Sequence, residues 1–534
     1  AGTIVIPETV EKIDDYAFSG NDKIICIIFT HGDVELGHQI FKDSHVEEVN
    51  FLTKDIPGTN SDTFSQADSL KAINVSINYY ELYDDKWKNE IDQASFALLS
   101  ETDSSFQTKN GFEYLEMYYR DRSHATILLN APTNLIQFDE NSIPGVTITE
   151  IGQHAFSECK NLKHVKLSKH INQIDSYAFY GCEALESIFS ENTDSITIQE
   201  NALEITDSWL FDLRYMAFNA KKAIFENDYL PSVTKQIYIP FDGEGYNGGN
   251  TYSGAYFIDE SYGGEILYGY ARGTDQNGNT VTVEDEFYLI NATTDVQGDV
   301  ATKEGTFEIC TSAFEDVPIT SVQFNMTDDM YWIDDYAFYG TNLTGELVLP
   351  DGLGPIGQVA FYGSNISKVI FPKTYGNDTD YPACLWTNTF GGDESLSEIV
   401  FQNATPIELF YNKFTEYTFG DMASEDFHIT LIGAAKGLEQ KYIDAWKYRF
   451  IACENNDPSV NEEKLNQSVK KIAGLLGYTL PETGTQPDDN QEVVPDVEKA
   501  PEDNQQEVND EDQNDQQDEN KQEALENEVD ENDN

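Results

Sequence analysis

Along this chain apolar positions recur in one fixed frame: an isoleucine, three mostly polar residues, then alanine and phenylalanine. The frame first appears as Ile13-Asp14-Asp15-Tyr16-Ala17-Phe18 and returns as Ile151 to Phe156, Ile174 to Phe179, Ile333 to Phe338 and Ile356 to Phe361. Weaker copies end at Phe41, Phe64, Phe314 and Phe390. Within each cluster successive phenylalanines lie 23 or 24 residues apart, stretching to 29 before Phe390. A period of this size marks stacked units rather than one globular core. Each Ala-Phe is followed by a turn and an alternating segment, such as Leu162-Lys163-His164-Val165-Lys166-Leu167, Val46 to Phe51 or Ile366 to Phe371, which predicts a half-buried strand. A second short β segment, as in Ile171 to Ile174, closes the coil. One coil cannot bury its own apolar edge, so neighbours must stack and their phenylalanines form a ladder.

These residues resemble the BspA-like leucine-rich repeats, whose units read roughly I-x-x-x-A-F-x-x-C-x-x-L-x-x-V-x-L-P. Ile151 to Leu167 matches nearly position by position, Cys159 and Leu162 included. The resemblance implies a mostly β repeat solenoid with β-rich insertions, on a bacterial cell surface or secreted, and used in adhesion to a host or environmental ligand. On this reading residues 1–78 form a first repeat block, 147–203 a second, and 307–455 a third with a C-terminal cap.

Residues 79–146 and 204–306 lack the period and are expected to be, respectively, a capping helix with a hairpin spacer and a β-rich insertion. Tyr114 to Asn130 and Ala255 to Asn291 carry aromatic, alternating segments with glycine turns, which predict hairpins that join or cap the arrays. In proteins similar to this one, such strands often open a new repeat block; two small inserted domains are the alternative. Ile429 to Gly433, followed by Glu439 to Trp446, predicts a strand and an amphipathic helix with Tyr442 and Trp446 on one face. This pair resembles the closing cap of BspA-type arrays, and Leu82 to Ile91 reads as a shorter version.

Residues 456–484 read as a linker, with an amphipathic helix near Glu462 to Leu476. It ends in Leu480-Pro481-Glu482-Thr483-Gly484, which resembles the LPxTG signal by which sortases attach proteins to Gram-positive cell walls. That signal is ordinarily followed by an apolar span and a basic tail, whereas an acidic run follows here, so a coincidental linker match is the other reading. From residue 485 to 534, low hydrophobicity and like-charge repulsion predict a disordered acidic tail.

Charge narrows the partners. The net charge is −64; residues 488–534 hold 20 acids against two lysines, which leaves −46 on the rest. Such a surface repels phosphate backbones and anionic headgroups, which argues against nucleic-acid binding. No apolar run is long enough to span a bilayer. Six cysteines without a CxxC pair form neither a disulfide framework nor a zinc module.

The motifs of catalysis are missing: there is no HExxH, GxSxG, P-loop or dinucleotide fingerprint. Cys159 lies near His154 and His164, but it occupies the repeat's own buried cysteine position. Cys159 and Cys182 stand one coil apart and read as either a disulfide or stacked free thiols. Asp275-Gln276-Asn277-Gly278-Asn279 with Glu286 has some features of a calcium loop, yet Thr280 stands where the loop needs glycine, and an Asn-Gly hairpin turn explains the same residues. Acid pairs such as Asp14-Asp15 and Asp334-Asp335 recur with the period, which makes them turn residues rather than paired catalytic acids. We therefore expect no enzyme, cofactor or metal.

Binding asks less. The non-core positions of successive strands stand side by side on one sheet face. Lys163, His164, Lys166, Glu186, Phe189, Gln323, Lys368, Ile370 and Glu398 are the candidate ligand-binding face, and the first three form a basic island on an acidic molecule. Tyr180, Tyr339 and Tyr362, each directly after an Ala-Phe, are a second candidate stripe. The expected function is an extracellular binding protein for a protein or glycan; the alternatives are a structural spacer without a ligand, and an enzyme with a deep pocket of converging ionisable groups in 204–306.

Overall fold

The structure, a computed structural model, describes residues 2–6, 9–118, 123–199, 201–202, 213–225, 237–238, 255–274, 280–325, 332–375, 384–386, 388–392, 395–409, 426–448, 450 and 461–481. The chain divides into a unit of residues 1–479 and a second of 480–534. Of the second only Leu480 and Pro481 are described, so Glu482, Thr483, Gly484 and the acidic tail lie outside the described residues.

The first unit is a mostly β solenoid of about 13 turns. Each coil contributes one strand to a sheet of long strands and one to a sheet of short strands, and neighbouring coils pair in parallel. In the second block Gln137–Phe138, His164–Leu167, Ser187–Ser190, Tyr215–Phe218 and Ile237–Tyr238 form the long-strand sheet. Glu150–Ile151, Gln173–Ile174, Ser195–Ile198 and Lys222–Phe225 form the short-strand sheet. The parallel stack therefore continues past residue 203 to Tyr238: the Ala-Phe signature fades there, but Tyr215 to Phe218 pairs in register and is buried on both faces.

Between the sheets runs the ladder. Phe156 and Phe179 stack at 5.3 Å, Phe314 and Phe338 at 5.3 Å, and Phe338 and Phe361 at 4.9 Å, each within 10° of parallel. Ala155, Ala178, Ala337 and Ala360 are fully buried, which explains the small residue before each ring. The turn itself is zipped to its neighbour: the amides of Phe156, Phe314 and Phe338 donate to the carbonyls of Ala178, Ala337 and Ala360. The recurring acids belong to this turn, since Asp15 and Asp335 accept from the amides of His38 and Gln358 in the next coil.

Two devices interrupt the stack. Antiparallel meanders, Ser105–Lys109 with Phe112–Tyr118 and His124–Asn130, and Tyr256–Asp259 with Ile266–Thr274 and Thr280–Ala292, precede the second and third blocks. The last strand of each is also the first of the next block's short-strand sheet. Residues 275–279, weighed above as a calcium loop, lie outside the described residues, but the flanking strands pair as a hairpin with Thr274 opposite Thr280. Helical caps close the first and third blocks. Helix Tyr80–Trp87 sets Tyr83 and Trp87 against Phe51, and helix Glu439–Trp446 sets Tyr442 and Trp446 against Phe401.

Candidate binding surface

The outward face of the long-strand sheet meets a different fate in each block. In the first, Cys26, Ile28 and Leu52 pack against Leu115, Met117, Ala125 and Ile127 of the following meander. Beside them a buried polar row crosses the strands: Asn50 Nδ2 to Cys26 Sγ at 3.2 Å, Asn74 Nδ2 to Asn50 Oδ1 at 3.0 Å, and Ser100 Oγ to Asn74 Oδ1 at 2.8 Å. A buried amide row survives only when its groups satisfy one another, as these do.

The second block repeats the arrangement with charge. Phe189, Tyr215, Ala217 and Tyr238 pack against Tyr256, Leu267, Ile290 and Cys310 of the second meander and the coil after it. Lys163 Nζ lies 2.6 Å from Asp295 Oδ1 and 3.3 Å from Glu186 Oε1. His164 Nε2 lies 3.3 Å from Asp295 Oδ2, and Lys166 Nζ 3.4 Å from Glu191. Burial pushes the Asp295 carboxyl up, but hydrogen bonds from Lys163 and His164 outweigh it and hold the group below its ordinary value. Glu186, 4% exposed, accepts from the amide and hydroxyl of Thr294. Arg214 Nε donates to Asn291 Oδ1 and the Ala292 carbonyl. The basic island is thus neutralised within a joint between blocks, and Glu186 and Phe189 are sealed from any ligand.

This joint also holds a serine, a histidine and an aspartate in line: Ser187 Oγ 3.0 Å from His164 Nδ1, and His164 Nε2 facing Asp295. Nucleophilic catalysis needs the serine proton to pass to the imidazole. Here the Ser187 hydroxyl donates to Glu265, which also accepts from Tyr215 at 2.7 Å, and Ser187 is fully buried. A cavity of about 270 Å³ opens beside the group, lined by Gln137, Asp139, His164, Lys166, Glu260 and Glu265, but Ser187 does not reach it. The arrangement works as a hydrogen-bonded seam. Cys159 and Cys182 are free thiols, pushed by burial up to about 11 and about 12, which keeps them protonated.

In the third block several described residues of the same face reach solvent, although Val400 in it is buried. Gln323 is exposed, while Lys368, Ile370 and Glu398 are half-buried. The strands Thr344–Val348, Asn365–Ile370, Glu398–Phe401 and His428–Leu431 place Glu346, Lys368, Glu398 and His428 in one outward row and Val348, Ile370, Val400 and Thr430 in the next. Lys368 forms ion pairs with Glu346 and Glu398 across the first row at 3.5 and 3.3 Å, and His428 Nε2 lies 3.8 Å from Glu398. A hydrogen bond from the Thr430 hydroxyl, then the Lys368 ammonium, holds the Glu398 carboxyl below its ordinary value. Val348 in the second row, at the end of the sheet's edge strand, is 54% exposed, an apolar side chain facing solvent.

The tyrosine stripe splits as well. Tyr339 and Tyr362 stack at 5.5 Å and 7°, and Tyr362 lies on the backbone of Gly391 and Gly392, where a Cβ would come within 2.9 Å of its ring. Both faces of Tyr362 and one face of Tyr339 are thus occupied, and both residues are half-buried. Sequence reasoning put all nine nominated residues on one solvated face and missed the coverings. The signal was in the meander strands, apolar on both sides: Phe112 and Tyr114 enter the second block's core, while Leu115 and Met117 cover the first block's sheet.

A family model described as the BspA type leucine rich repeat region matches residues 2–110, 129–237 and 307–429, in six copies. The match spans more than half of the chain, and this protein belongs to that family. None of the curated proteins matches its sequence. Among solved structures, it is similar to a leucine-rich repeat protein from Bacteroides ovatus, at 17% identity over 80% of this chain and 92% of that one, with a TM-score of 0.27. A leucine rich cell surface protein from Faecalibacterium prausnitzii matches at 14% identity over 79% and 90%, TM-score 0.25. The pneumococcal vaccine antigen PcpA matches at 15% identity over 64% and 96%, TM-score 0.25.

Proposed function

We propose that this protein is a bacterial cell-surface or secreted binding protein, and that its ligand, a protein or a glycan, is met by the outward long-strand face of the third block. The observation that carries the reading is the contrast between three equivalent faces. The apolar positions of two are covered, with Ile28 and Tyr215 fully buried and only flanking charged groups such as Lys166 part-exposed, whereas the third presents the apolar Val348 and Ile370 to solvent beside Lys368 and Glu398. Repeat solenoids use such extended sheet faces for recognition, and exposed apolar side chains rimmed by charge are a common mark of an interaction site. Family membership and the acidic, cysteine-poor surface support an extracellular setting. Attachment to a cell wall through Leu480 to Gly484 is part of the same proposal.

The test is a glycan-array and matrix-protein screen with the full chain, repeated with Val348→Asp and with Lys368→Ala. Binding that falls at least about tenfold in Val348→Asp, with thermal melting unchanged, supports the face. Binding indifferent to both substitutions overturns it, and silence across the whole screen moves the reading to a spacer without a ligand of its own.

A further inference from the structure

We infer that the partner of the third block's open face is a second copy of this chain, in a two-fold, sheet-on-sheet contact. The inference rests on the reading of that face as the binding surface and names what it binds.

The first step is the fold's own precedent. Wherever the outward long-strand face is covered, it is covered by another β layer laid flat on it, once by the strands Phe112–Tyr118 and His124–Asn130 and once by Ile266–Thr274 and Thr280–Ala292. Packing sheet on sheet is how twisted, alternating strands bury a shared apolar face. The open face has the same design, with an apolar row beside a polar one, and Val348, Ile370 and Ile432 still reach solvent.

The second step is the order of charges. Across the strands the polar row reads Glu346, Lys368, Glu398, His428. A two-fold axis lying along the strand direction, between Asn365–Ile370 and Glu398–Phe401, keeps every row opposite itself and reverses the order of strands. Lys368 of one copy then faces Glu398 of the other, and Glu346 faces His428. In the neighbouring row Val348 meets Thr430, and Ile370 lies over the strand position of Val400, which is itself buried. An isologous contact needs this self-complementarity, because each residue's partner must in turn find its mate. An axis across the strands instead sets the charged row against the apolar one or each charge against its own copy.

Size sets the strength. Four strands about 4.8 Å apart and five residues long make a patch of roughly 20 by 17 Å, below the standard for a stable dimer. A single contact is therefore weak, and it becomes effective when many copies on one surface meet many on another. Repulsion between the acidic copies is screened beyond roughly 8 Å at physiological ionic strength, the range within which the matched rows act.

The test uses the full chain in sedimentation equilibrium up to several hundred micromolar, and on beads coated densely enough to aggregate. Wild type self-associates and its beads clump. Lys368→Glu and Glu398→Lys each place like charges opposite one another and weaken association about tenfold or more. An equimolar mixture of the two variants restores it, because the reversed charges now face each other across the contact. That rescue separates the interface from any damage to folding. A chain that stays monomeric with dispersed beads, or self-association that ignores both substitutions, overturns the inference. If beads stay dispersed while a glycan or matrix protein binds wild type and not Val348→Asp, the face stands as a binding surface and homophily fails.

Discussion

At the residue scale, the coil turns through two left-handed positions, one on either side of the Ala-Phe. Two residues before the ring stand Tyr16, His154, Tyr177, Tyr336, Val359 and Asn388, all with φ between 51° and 61°; two residues after it stand Gly20, Gly181, Gly340, Gly363 and Gly392, with Glu158 and Asp316 in other coils. Left-handed backbone costs an ordinary L-residue about 1–2 kcal/mol, and a β-branched side chain fares worst. Val359 is therefore the strained member of the series, while Asn388 shows what the position accepts. Val359→Asn should raise stability by about 1 kcal/mol, read as a higher midpoint in a thermal melt; an unchanged or lower midpoint refutes the strain. The Ala-Phe frame and its acid pairs were legible in the sequence because each turn must be rebuilt in every coil. The left-handed position before the ring was hidden, since tyrosine and valine give no hint of positive φ.

Two carboxyls at equivalent places make a second residue-scale case. Burial, and then a neighbouring acid, Asp175 or Asp334, pushes Glu150 and Glu308 up to about 7. Between the ordinary 4.5 and 7 the folded chain holds protons that the unfolded chain releases, so stability falls as pH rises through that window. Glu150→Gln and Glu308→Gln should each flatten this slope and stabilise the protein at pH 8 by roughly 1–3 kcal/mol, with little effect at pH 4. Denaturant melts across that range decide the matter: a wild-type stability that rises with pH there contradicts it.

At the scale of elements, the two caps use one device twice. Tyr83 and Trp87 meet edge-on at 4.9 Å and 90°, Tyr442 and Trp446 at 5.1 Å and 90°, and each tyrosine hydroxyl donates to a carbonyl of the coil beneath. They differ at the indole. Trp446 Nε1 donates to the Ile407 carbonyl at 2.9 Å, while Trp87 Nε1 is buried without a partner. Phenylalanine in place of Trp446 therefore strands an acceptor, whereas in place of Trp87 it removes an unsatisfied donor. Trp446→Phe should cost about 1–2 kcal/mol more than Trp87→Phe, and equal losses in paired melts would exclude the asymmetry. The third-block cap was readable because Tyr442 and Trp446 fall four residues apart on one helical face. The meanders were readable as hairpins, but their second role was not, because alternation reports which residues are apolar and not which sheet lies opposite. Lys163, His164 and Lys166 show the cost of that ambiguity: three basic residues within four positions look solvated until Asp295, more than a hundred residues away, is placed against Lys163 and His164.

At the scale of the whole repeat unit, each meander belongs to two blocks at once, joined by strand hydrogen bonds to the block it opens and by its outer side chains to the block before it. A repeat array ordinarily couples only nearest coils, so a break in one coil can let its two sides melt apart. A shared β layer resists this, because losing either block exposes the apolar face it shares with the other. Leu267, fully buried in the second joint among Phe189, Tyr215 and Ile290, is the place to sever that coupling without touching a coil's own core. Leu267→Asp buries an unpaired carboxylate in the seam, at a cost of several kcal/mol. Calorimetry should then split the unfolding endotherm that spans the second and third blocks into two, while far-ultraviolet circular dichroism below the first transition stays close to wild type. A Leu267→Asp chain that still unfolds in one step at a merely lower temperature would mean that the coils carry the cooperativity and the meander only covers a face.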